Sequence, residues 1–220
     1  RPHETVTYTL TVSNDHGTVE DSTTVEVVYP AAVFVSESRG DDDATGDSPA
    51  TALKTLGAAL GRVQGGGAIY LSAESYVNDV VVEIVDVDIY GGRDPVTFFE
   101  DPGGGLRSTI SSVSGIPLTV RNTGPALIEM TNVIFDTQGN NAELAAEVDG
   151  ATVWFRGCTL DGRRSSGATG IRILGGSDVR LVNCKIYGAD PRLSATHQES
   201  RGVEIRDAAT VATAPCLSNE

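Results

Sequence analysis

A repeat of about 25 residues is the strongest constraint that the sequence places on the fold of this chain. Segments that begin at Ile128, Val153 and Val179 align with one another at offsets of 25 and 26 residues. Each segment alternates apolar and other residues, passes one turn-forming residue, and then alternates again. Because period-two alternation is typical of half-buried strands, each copy predicts two short strands joined by a bend. We therefore expect equivalent strands of successive copies to stack on one another.

The repeat also predicts which side chains face a shared interior. In the copy that begins at Val153, the inward apolar residues are Val153, Phe155, Cys158 and Leu160. A further alternating strand precedes most copies, with the inward pairs Leu118/Val120, Ala146/Val148, Ile171/Ile173 and Val203/Ile205. The bend column holds residue types that enter the left-handed backbone region at low cost, namely Asp86, Asn132, Gly157 and Asn183. Less similar copies are expected at residues 82–90 and 211–219.

Three short strands and three turns in each copy are typical of a right-handed parallel β-helix. The segment before the repeat resembles the start of secreted β-helix proteins with the pectate-lyase-like fold. The resemblance covers residues 33–95 and rests on Val33-Phe34-Val35-Ser36, Gly40-Asp41, Gly46, Pro49, Thr55-Leu56, Ala59-Leu60, Gly66-Gly67-Ala68-Ile69-Tyr70-Leu71 and Ile89-Tyr90-Gly91-Gly92. It implies an all-β, right-handed parallel β-helix with an N-terminal capping α-helix.

The capping helix is predicted over residues 49–63. Ser48 is a favoured N-cap residue, and Pro49 is a favoured first helical residue. Apolar residues then recur on one helical face, namely Leu53, Leu56, Leu60 and Val63. Three glycines at residues 65–67 end the pattern. The sequence therefore predicts one amphipathic helix of about four turns.

Residues 1–30 have a different pattern. Apolar residues alternate with threonines at 5–12, turn-forming residues follow at 14–17, and a second β-rich run occupies 23–29. This pattern predicts a β-hairpin. The stretch 5–29 resembles the last strands of a PKD or immunoglobulin-like module, which implies the remnant of a β-sandwich. We expect three regions: the hairpin at 1–30, an N-terminal cap at 31–67, and β-helix turns at 68–220, truncated at the C-terminus.

The charge balance limits the partners of this chain. Acidic residues outnumber Lys and Arg by 30 to 16, so the formal net charge is −14. Nucleic acid and anionic membranes are bound by clustered Lys and Arg. No run approaches the roughly 20 apolar residues of a membrane-spanning helix. We therefore expect no nucleic-acid binding and no membrane insertion.

The three cysteines fall in one column of the repeat. Cys158, Cys184 and Cys216 align with one another, and Val87 and Val133 are expected at the same place in earlier copies. The prediction is a stack of buried thiols that pack as small apolar side chains. A disulfide between adjacent turns is the alternative, and it would leave one thiol over.

Trp154 begins a first group of candidate ligand-binding residues. Alternation directs Trp154 outward, with Arg180 in the same column and Arg156 two residues along the chain. The indole would either stack on a sugar ring or form a cation–π contact with Arg180.

Two aspartates form a second group. Asp136 and Asp161 share a column, in which Tyr90 and Tyr187 are also expected. Carboxylates on neighbouring turns would lie at about the separation of the catalytic pair in retaining glycosidases, and they could also share Ca²⁺. The alternative is that both are corner residues without a ligand.

A third candidate is an acidic loop. Asp41, Asp42, Asp43 and Asp47 offer the oxygen ligands that Ca²⁺ prefers, although they lack the spacing of an EF-hand. Ca²⁺ is accordingly the one cofactor that the sequence suggests.

Three functions remain open from the sequence. The first is a non-catalytic extracellular or cell-surface β-helix module that acts as a stalk, an adhesin or a glycan-contacting surface, with polysaccharides as partners. The second is a polysaccharide lyase or glycoside hydrolase whose active turns lie beyond residue 220. The third is a structural subunit of an extracellular filament that self-associates through residues 5–29.

Overall fold

The computed structural model describes residues 5–14, 17–26, 32–63, 66–78, 83–84, 86–101, 105–112, 115–121, 127–137, 144–163, 169–188, 202–206 and 210–214. The chain divides into two compact units, Arg1–Pro30 and Ala31–Glu220. Strands dominate both units, and the sheets of the second unit are parallel. The expected predominance of β-structure is confirmed.

The first unit contains one antiparallel hairpin in its described residues. Strand β1 (Thr5–Asn14) pairs with β2 (Gly17–Glu26) over their full length. Leu10 and Val19 are among the exposed large apolar residues of the chain. The hairpin predicted from the alternating threonines is therefore present, and two strands by themselves bury little apolar surface.

The second unit contains three parallel sheets that the chain visits in turn. The first sheet, called here the seven-stranded sheet, comprises β3 (Ala32–Val35), β4 (Gly67–Ser72), β7 (Val87–Arg93), β10 (Leu127–Thr131), β13 (Thr152–Arg156), β16 (Asp178–Val182) and β19 (Thr210–Ala214). The second sheet comprises β5 (Ser75–Asn78), β8 (Ser108–Ser112), β11 (Val133–Asp136), β14 (Thr159–Asp161) and β17 (Lys185–Tyr187). The third comprises β6 (Glu83–Ile84), β9 (Leu118–Arg121), β12 (Leu144–Asp149), β15 (Thr169–Leu174) and β18 (Val203–Ile205). From β4 to β16, each strand pairs with the strand three places later.

The register of the later copies agrees with the repeat. Val153 pairs with Ile128 on one side and with Val179 on the other. Val179 then pairs with Val211 in the last described strand. Since the residues one repeat apart are neighbours across parallel strands, the predicted stacking of copies is confirmed from Ile128 onward.

The strand that precedes each copy is also in the predicted register. Ala146 pairs with Leu118 and with Ile171, and Ile171 pairs with Val203. The earlier inward pairs are buried, whereas Val203 is 39% exposed and Ile205 is 53% exposed. The last pair is exposed because β18 is the end strand of its sheet in the described part of the chain.

The bends adopt the backbone conformation that their residue types favour. The φ angles of Asp86, Asn132, Gly157 and Asn183 are 53°, 57°, 58° and 53°. Non-glycine residues other than Asn and Asp rarely enter this left-handed region. The bend column is therefore confirmed at Asn132, Gly157 and Asn183, each of which follows a strand of the seven-stranded sheet. Asp86 is also left-handed, but it precedes β7 and so does not belong to this column.

The copy expected at residues 82–90 is in the wrong register. Tyr90 pairs with Thr131, not with Asp136, whose neighbour on β8 is Ser111. Likewise Ser108, not Val87, pairs with Val133. The hydrophobic pattern did not reveal these positions because the residues that fill them are buried serines. Val82 and Val85 of the predicted copy lie outside the described residues.

The single helix predicted over residues 49–63 is also wrong in extent. A 3₁₀ turn covers Pro49–Thr51, and the helix α1 covers only Leu56–Arg62. Between them Leu53 forms a β-bridge with Val35, and its N–H donates to the carbonyl of Phe34. Thr55 then begins α1 by accepting a hydrogen bond from the N–H of Ala58. Because Leu53 pairs with the neighbouring strand, the helix predicted from the apolar spacing is interrupted at this residue.

Inward side chains of the three sheets form one apolar core with α1 packed against it. Its largest fully buried members include Phe135 and Phe155, whose rings meet edge to face with centroids 6.4 Å apart. Cys158 belongs to this core, Cys184 packs partly buried against it, and Cys216 lies outside the described residues. The expected packing role is thus observed for Cys158 and in part for Cys184.

Candidate functional site

The outward side of the seven-stranded sheet carries the most chemically varied surface of the described residues. Its side chains form two adjacent columns, because alternate residues of each strand point outward. We call this surface the aromatic–arginine face and define it by Phe34, Tyr70, Asp88, Tyr90, Arg93, Glu129, Trp154, Arg156 and Arg180. The six strands from β3 to β16 span about 24 Å across the sheet.

Three aromatic rings stack at one end of the aromatic–arginine face. The ring centroids of Phe34 and Tyr70 are 5.4 Å apart, and those of Tyr70 and Tyr90 are 5.3 Å apart. The planes are inclined by only 20° and 24°, which is close to the stacking that in-register strands permit. The ring faces cover one another, so the stack turns ring edges outward.

Arg93 lies over this aromatic stack. Its guanidinium carbon is 5.3 Å from the centroid of Tyr70 and 5.8 Å from that of Tyr90. Its Nη1 is 3.7 Å from the carboxylate of Glu100, while its buried Nε has no hydrogen-bond partner among the described residues. The irregular pairing after Tyr70 and the left-handed Gly92 bring Arg93 to this position.

Two carboxylates connect the aromatic stack to the arginines. The hydroxyl of Tyr90 is 3.2 Å from Oδ2 of Asp88 and 3.4 Å from Oε2 of Glu129. The N–H of Glu129 donates to Oδ1 of Asp88 at 2.7 Å. Burial raises the pKa of Asp88 despite this hydrogen bond. Burial and the nearby negative charges of Asp88 and Glu129 also raise the pKa of Tyr90, so Tyr90 stays protonated and can donate.

Trp154 holds two guanidinium groups at the other end of the face. The guanidinium carbon of Arg156 is 5.0 Å from the indole centroid, and that of Arg180 is 4.9 Å away. Arg156 also pairs with Glu129, with Nε 2.6 Å from Oε1. The predicted cation–π contact with Arg180 is therefore present, and Arg156 forms a second one.

The residues predicted for ligand contact do not form one site. Trp154, Arg156 and Arg180 lie together on the seven-stranded sheet, whereas Asp136 and Asp161 lie on the second sheet. These two aspartates are paired across β11 and β14, and each is only 7% exposed. The predicted common column of the two carboxylates is confirmed, and it is separate from the indole.

Arg163 forms an ion pair with the carboxylate of Asp161. Arg163 donates from Nε to Oδ1 at 2.9 Å and from Nη2 to Oδ2 at 2.6 Å. The hydrogen bond with Asp161 raises the pKa of Arg163, and the guanidinium lies 3.9 Å over the ring of Tyr187. A bidentate pair of this kind uses both carboxylate oxygens, so the structure gives Asp161 a partner within its own chain.

The acidic loop also uses its carboxylates internally. Oδ1 of Asp42 accepts the N–H groups of Lys54 and Thr55 at 2.9 and 2.8 Å. Burial acts to raise the pKa of Asp42, but these hydrogen bonds leave it below its ordinary value. Asp47 accepts from the hydroxyls of Thr45 and Thr51, and Asp41 accepts the N–H of Asp43.

Within the described residues, no group of three or more His, Cys, Asp or Glu side chains is arranged to hold a metal ion. The acidic loop with Asp41, Asp42, Asp43 and Asp47 is among these described residues. In the same residues no helix has the length and apolar character needed to cross a membrane.

Sequence reasoning missed the aromatic half of the face. Phe34, Tyr70 and Tyr90 belong to strands that precede the clear copies of the repeat, so their common column was not apparent. The available signal was their position. Phe34 and Tyr70 each lie between two inward apolar residues, as Tyr70 lies between Ile69 and Leu71, and Tyr90 follows the inward Ile89. Aligning β3, β4 and β7 by that alternation would have placed the three rings together.

Comparisons with protein-family models, with curated proteins and with solved structures found no match.

Proposed function

We propose that the second unit is a right-handed parallel β-helix whose entry is capped by α1. We further propose that it serves as a non-catalytic extracellular or cell-surface module that contacts acidic glycans through the aromatic–arginine face. The fold proposal is supported by the three parallel sheets that the chain visits in turn and by the core that they share. These features are typical of a β-helix, in which each turn buries the next.

The observation that carries the ligand proposal is the arrangement around Trp154. Arg180 is exposed, and among the described residues its guanidinium contacts the indole and no carboxylate. Arg156, also exposed, is held by the indole and by Glu129. A guanidinium whose orientation is set by stacking loses little freedom when it binds a carboxylate or sulfate. Trp154 adds apolar surface beside it for a sugar ring.

The net charge of the chain does not oppose this proposal at physiological ionic strength. The formal charge of −14 would repel a polyanion over long distances. Charges more than about 8 Å apart are largely screened in 0.15 M salt, whereas the contact between Arg180 and a bound anion is not. We therefore expect binding to persist at physiological salt. We also expect it to depend less on low ionic strength than the polyanion binding of a basic protein does.

Affinity electrophoresis tests the ligand proposal. The chain is run through native gels that contain polygalacturonate or a neutral glucan of similar length. We expect polygalacturonate to slow the chain, and we expect Arg180→Ala and Trp154→Ala to remove most of that retardation. Arg121→Ala on β9 is the control, because it removes the same charge from an exposed site on another sheet. Equal losses in Arg180→Ala and Arg121→Ala would show a general charge effect and contradict the site.

A second function is favoured by a separate observation in the first unit. Strands β1 and β2 each pair along one edge only within the described residues, and Leu10 and Val19 are exposed. Unpaired strand edges are places where another chain can add a strand. Self-association through residues 5–29 would make the chain a filament subunit. Light scattering tests this: growth with concentration that disappears on deletion of residues 1–30 supports it.

A further inference from the structure

Cys158 and Cys184 occupy equivalent positions directly before two adjacent strands of the second sheet, β14 and β17. The residues that follow them, Thr159 and Lys185, pair across β14 and β17. The N–H of Lys185 donates to the carbonyl of Cys158 at 2.9 Å. The fold therefore places two cysteines of successive repeats next to each other.

The backbone spacing of this pair suits a disulfide. In-register neighbours on parallel strands are about 4.8 Å apart, which falls in the Cα–Cα range of about 4.4–6.8 Å found in disulfides. Both side chains also point the same way relative to the sheet, because the thiol of Cys158 contacts the carbonyl of Met130 and that of Cys184 contacts the carbonyl of Phe155. Met130 and Phe155 are themselves neighbours across adjacent strands.

The two thiols differ in accessibility and acidity. Cys158 is 1% exposed, and burial raises the pKa of its thiol. Cys184 is only partly buried. The neighbouring Cys158, backbone hydrogen bonds and the positive charge of Arg107 lower the pKa of Cys184. Cys184 is thus the thiol that a reagent reaches first, because it is the more exposed and the more acidic of the two.

We propose that Cys158 and Cys184 form a reversible disulfide that links two successive repeats, and that a small-molecule disulfide is the oxidant. The thiolate of Cys184 attacks one sulfur of the reagent, whose S–S bond breaks and releases one thiolate. Cys158 then gives its proton to solvent and attacks the Cys184 sulfur of the mixed disulfide, which releases the second thiolate. The two protein thiols lose two electrons in total, and the reagent gains them as two small thiols.

The expected consequence is a more stable folded state. The new bond closes a loop that contains one complete repeat, and closing such a loop restricts the unfolded chain. For a chain of this size we expect the melting temperature to rise by about 5–10 °C. Neither the glycan proposal nor the self-association proposal is needed for this inference.

Oxidised glutathione tests the pair in the folded full chain. Cys216→Ala provides the background, so that only two thiols remain. We expect the intact mass to fall by about 2 Da, the mass of the two hydrogens lost, with both thiols lost to titration and no glutathione retained. The product should be a monomer in non-reducing gels, and dithiothreitol should restore both thiols and the original melting temperature.

Two matched variants separate the roles of the thiols. In Cys158→Ser/Cys216→Ala, Cys184 should retain one glutathione, because the second attack is removed. In Cys184→Ser/Cys216→Ala, the buried Cys158 should remain a thiol. A stable glutathione adduct in the Cys216→Ala background, a linkage between chains, or reaction only after unfolding would overturn the proposal. If Cys216→Ala does not fold, peptide mapping of the oxidised wild-type chain must show the Cys158–Cys184 link, and any other link overturns it.

Discussion

Two outward columns of the second unit have the same strand pairing but different charge pairing. On the third sheet, Arg172 lies between two glutamates, 3.4 Å from Glu147 and 2.8 Å from Glu204. On the seven-stranded sheet, the corresponding place between Glu129 and Arg180 is taken by Trp154. Each column takes one residue from each successive repeat. The two columns therefore differ only in which side chains occupy these positions.

The comparison teaches how a repeat can separate stability from recognition. In the column at Arg172, every charged side chain has an opposite charge one strand away, and Arg206 adds a second partner for Glu204. We call such a column closed, and we call a column with an unneutralised charge open. In the column at Trp154, the indole orients Arg180 without neutralising it. Closed columns hold neighbouring strands together, and a column that leaves an oriented charge toward solvent is available to a ligand.

The largest expected effect comes from breaking the interior that both columns share. Val153 is fully buried between Ile128 and Val179. Val153→Asp would place an unpaired charge in that core, with a cost above about 4 kcal/mol. We expect loss of the cooperative thermal transition in circular dichroism. Thr152→Asn, one residue away on the outward side of the same strand, is the control and should melt near the wild-type temperature, because it adds a polar side chain without a charge beside Asp178. An unchanged transition in Val153→Asp would contradict the inward column.

The next effect distinguishes the two columns directly. Arg172→Ala would leave Glu147 and Glu204 without their shared partner, and both carboxylates are mostly buried. We expect a loss of about 2 kcal/mol in the free energy of unfolding, measured by urea denaturation. Arg180→Ala should cost about 0.5 kcal/mol, since it removes one exposed cation–π contact. Equal losses in the two variants would remove the distinction between a closed and an open column.

A smaller effect is expected at the bend that follows β10. Asn132 has a φ angle of 57°, and its Oδ1 accepts a hydrogen bond from Arg107 at 2.5 Å. Asn132→Ala should destabilise the fold by about 1–2 kcal/mol, because alanine enters the left-handed region at a higher cost. Asn132→Gly restores the backbone freedom without the side chain, so it should recover part of the loss. A more stable alanine than glycine variant would contradict the conformational explanation.

The smallest effect concerns acid stability of the closed column. Hydrogen bonds from Arg172 and Arg206 lower the pKa of Glu204 from its ordinary value of 4.5. A carboxylate with a lowered pKa in the folded state stabilises the protein above pH 4.5 and loses that contribution as the pH falls through the lowered value. The melting temperature of wild type should therefore drop more between pH 5 and about pH 3 than that of Glu204→Gln. A parallel decline in both chains would show that Glu204 does not contribute.

Features that depend on a residue and its neighbours in sequence could be predicted, and features that depend on contacts between distant residues could not. The strand registers from Ile128 onward followed from alternation and from the bend residues, which act within a few positions of themselves. The earlier register failed at Ser108, whose buried hydroxyl donates to the carbonyl of Ser72 at 2.6 Å and accepts the N–H of Gly92. These partners are distant in sequence, so a buried serine has no hydrophobic signature by which to recognise it.

The candidate site shows the same division. Trp154, Arg156 and Arg180 were predicted because their column lies within the clear copies of the repeat. The stacked rings of Tyr70 and Tyr90 escaped prediction because the spacing between those strands departs from the repeat.

The order of apolar, polar and turn-forming residues, acting alone, determined the strand period, the inward columns and the left-handed bends. Each of these depends on properties of single residues and their immediate neighbours, which are present in any conformation of the chain. Only the tertiary structure decided which charges are neutralised and which remain available. Glu147, Arg172 and Glu204 meet because strands about one repeat apart become neighbours at about 4.8 Å. The same stacking leaves Arg180 against an indole, because electrostatic contacts between long side chains depend on the folded geometry that brings them within reach.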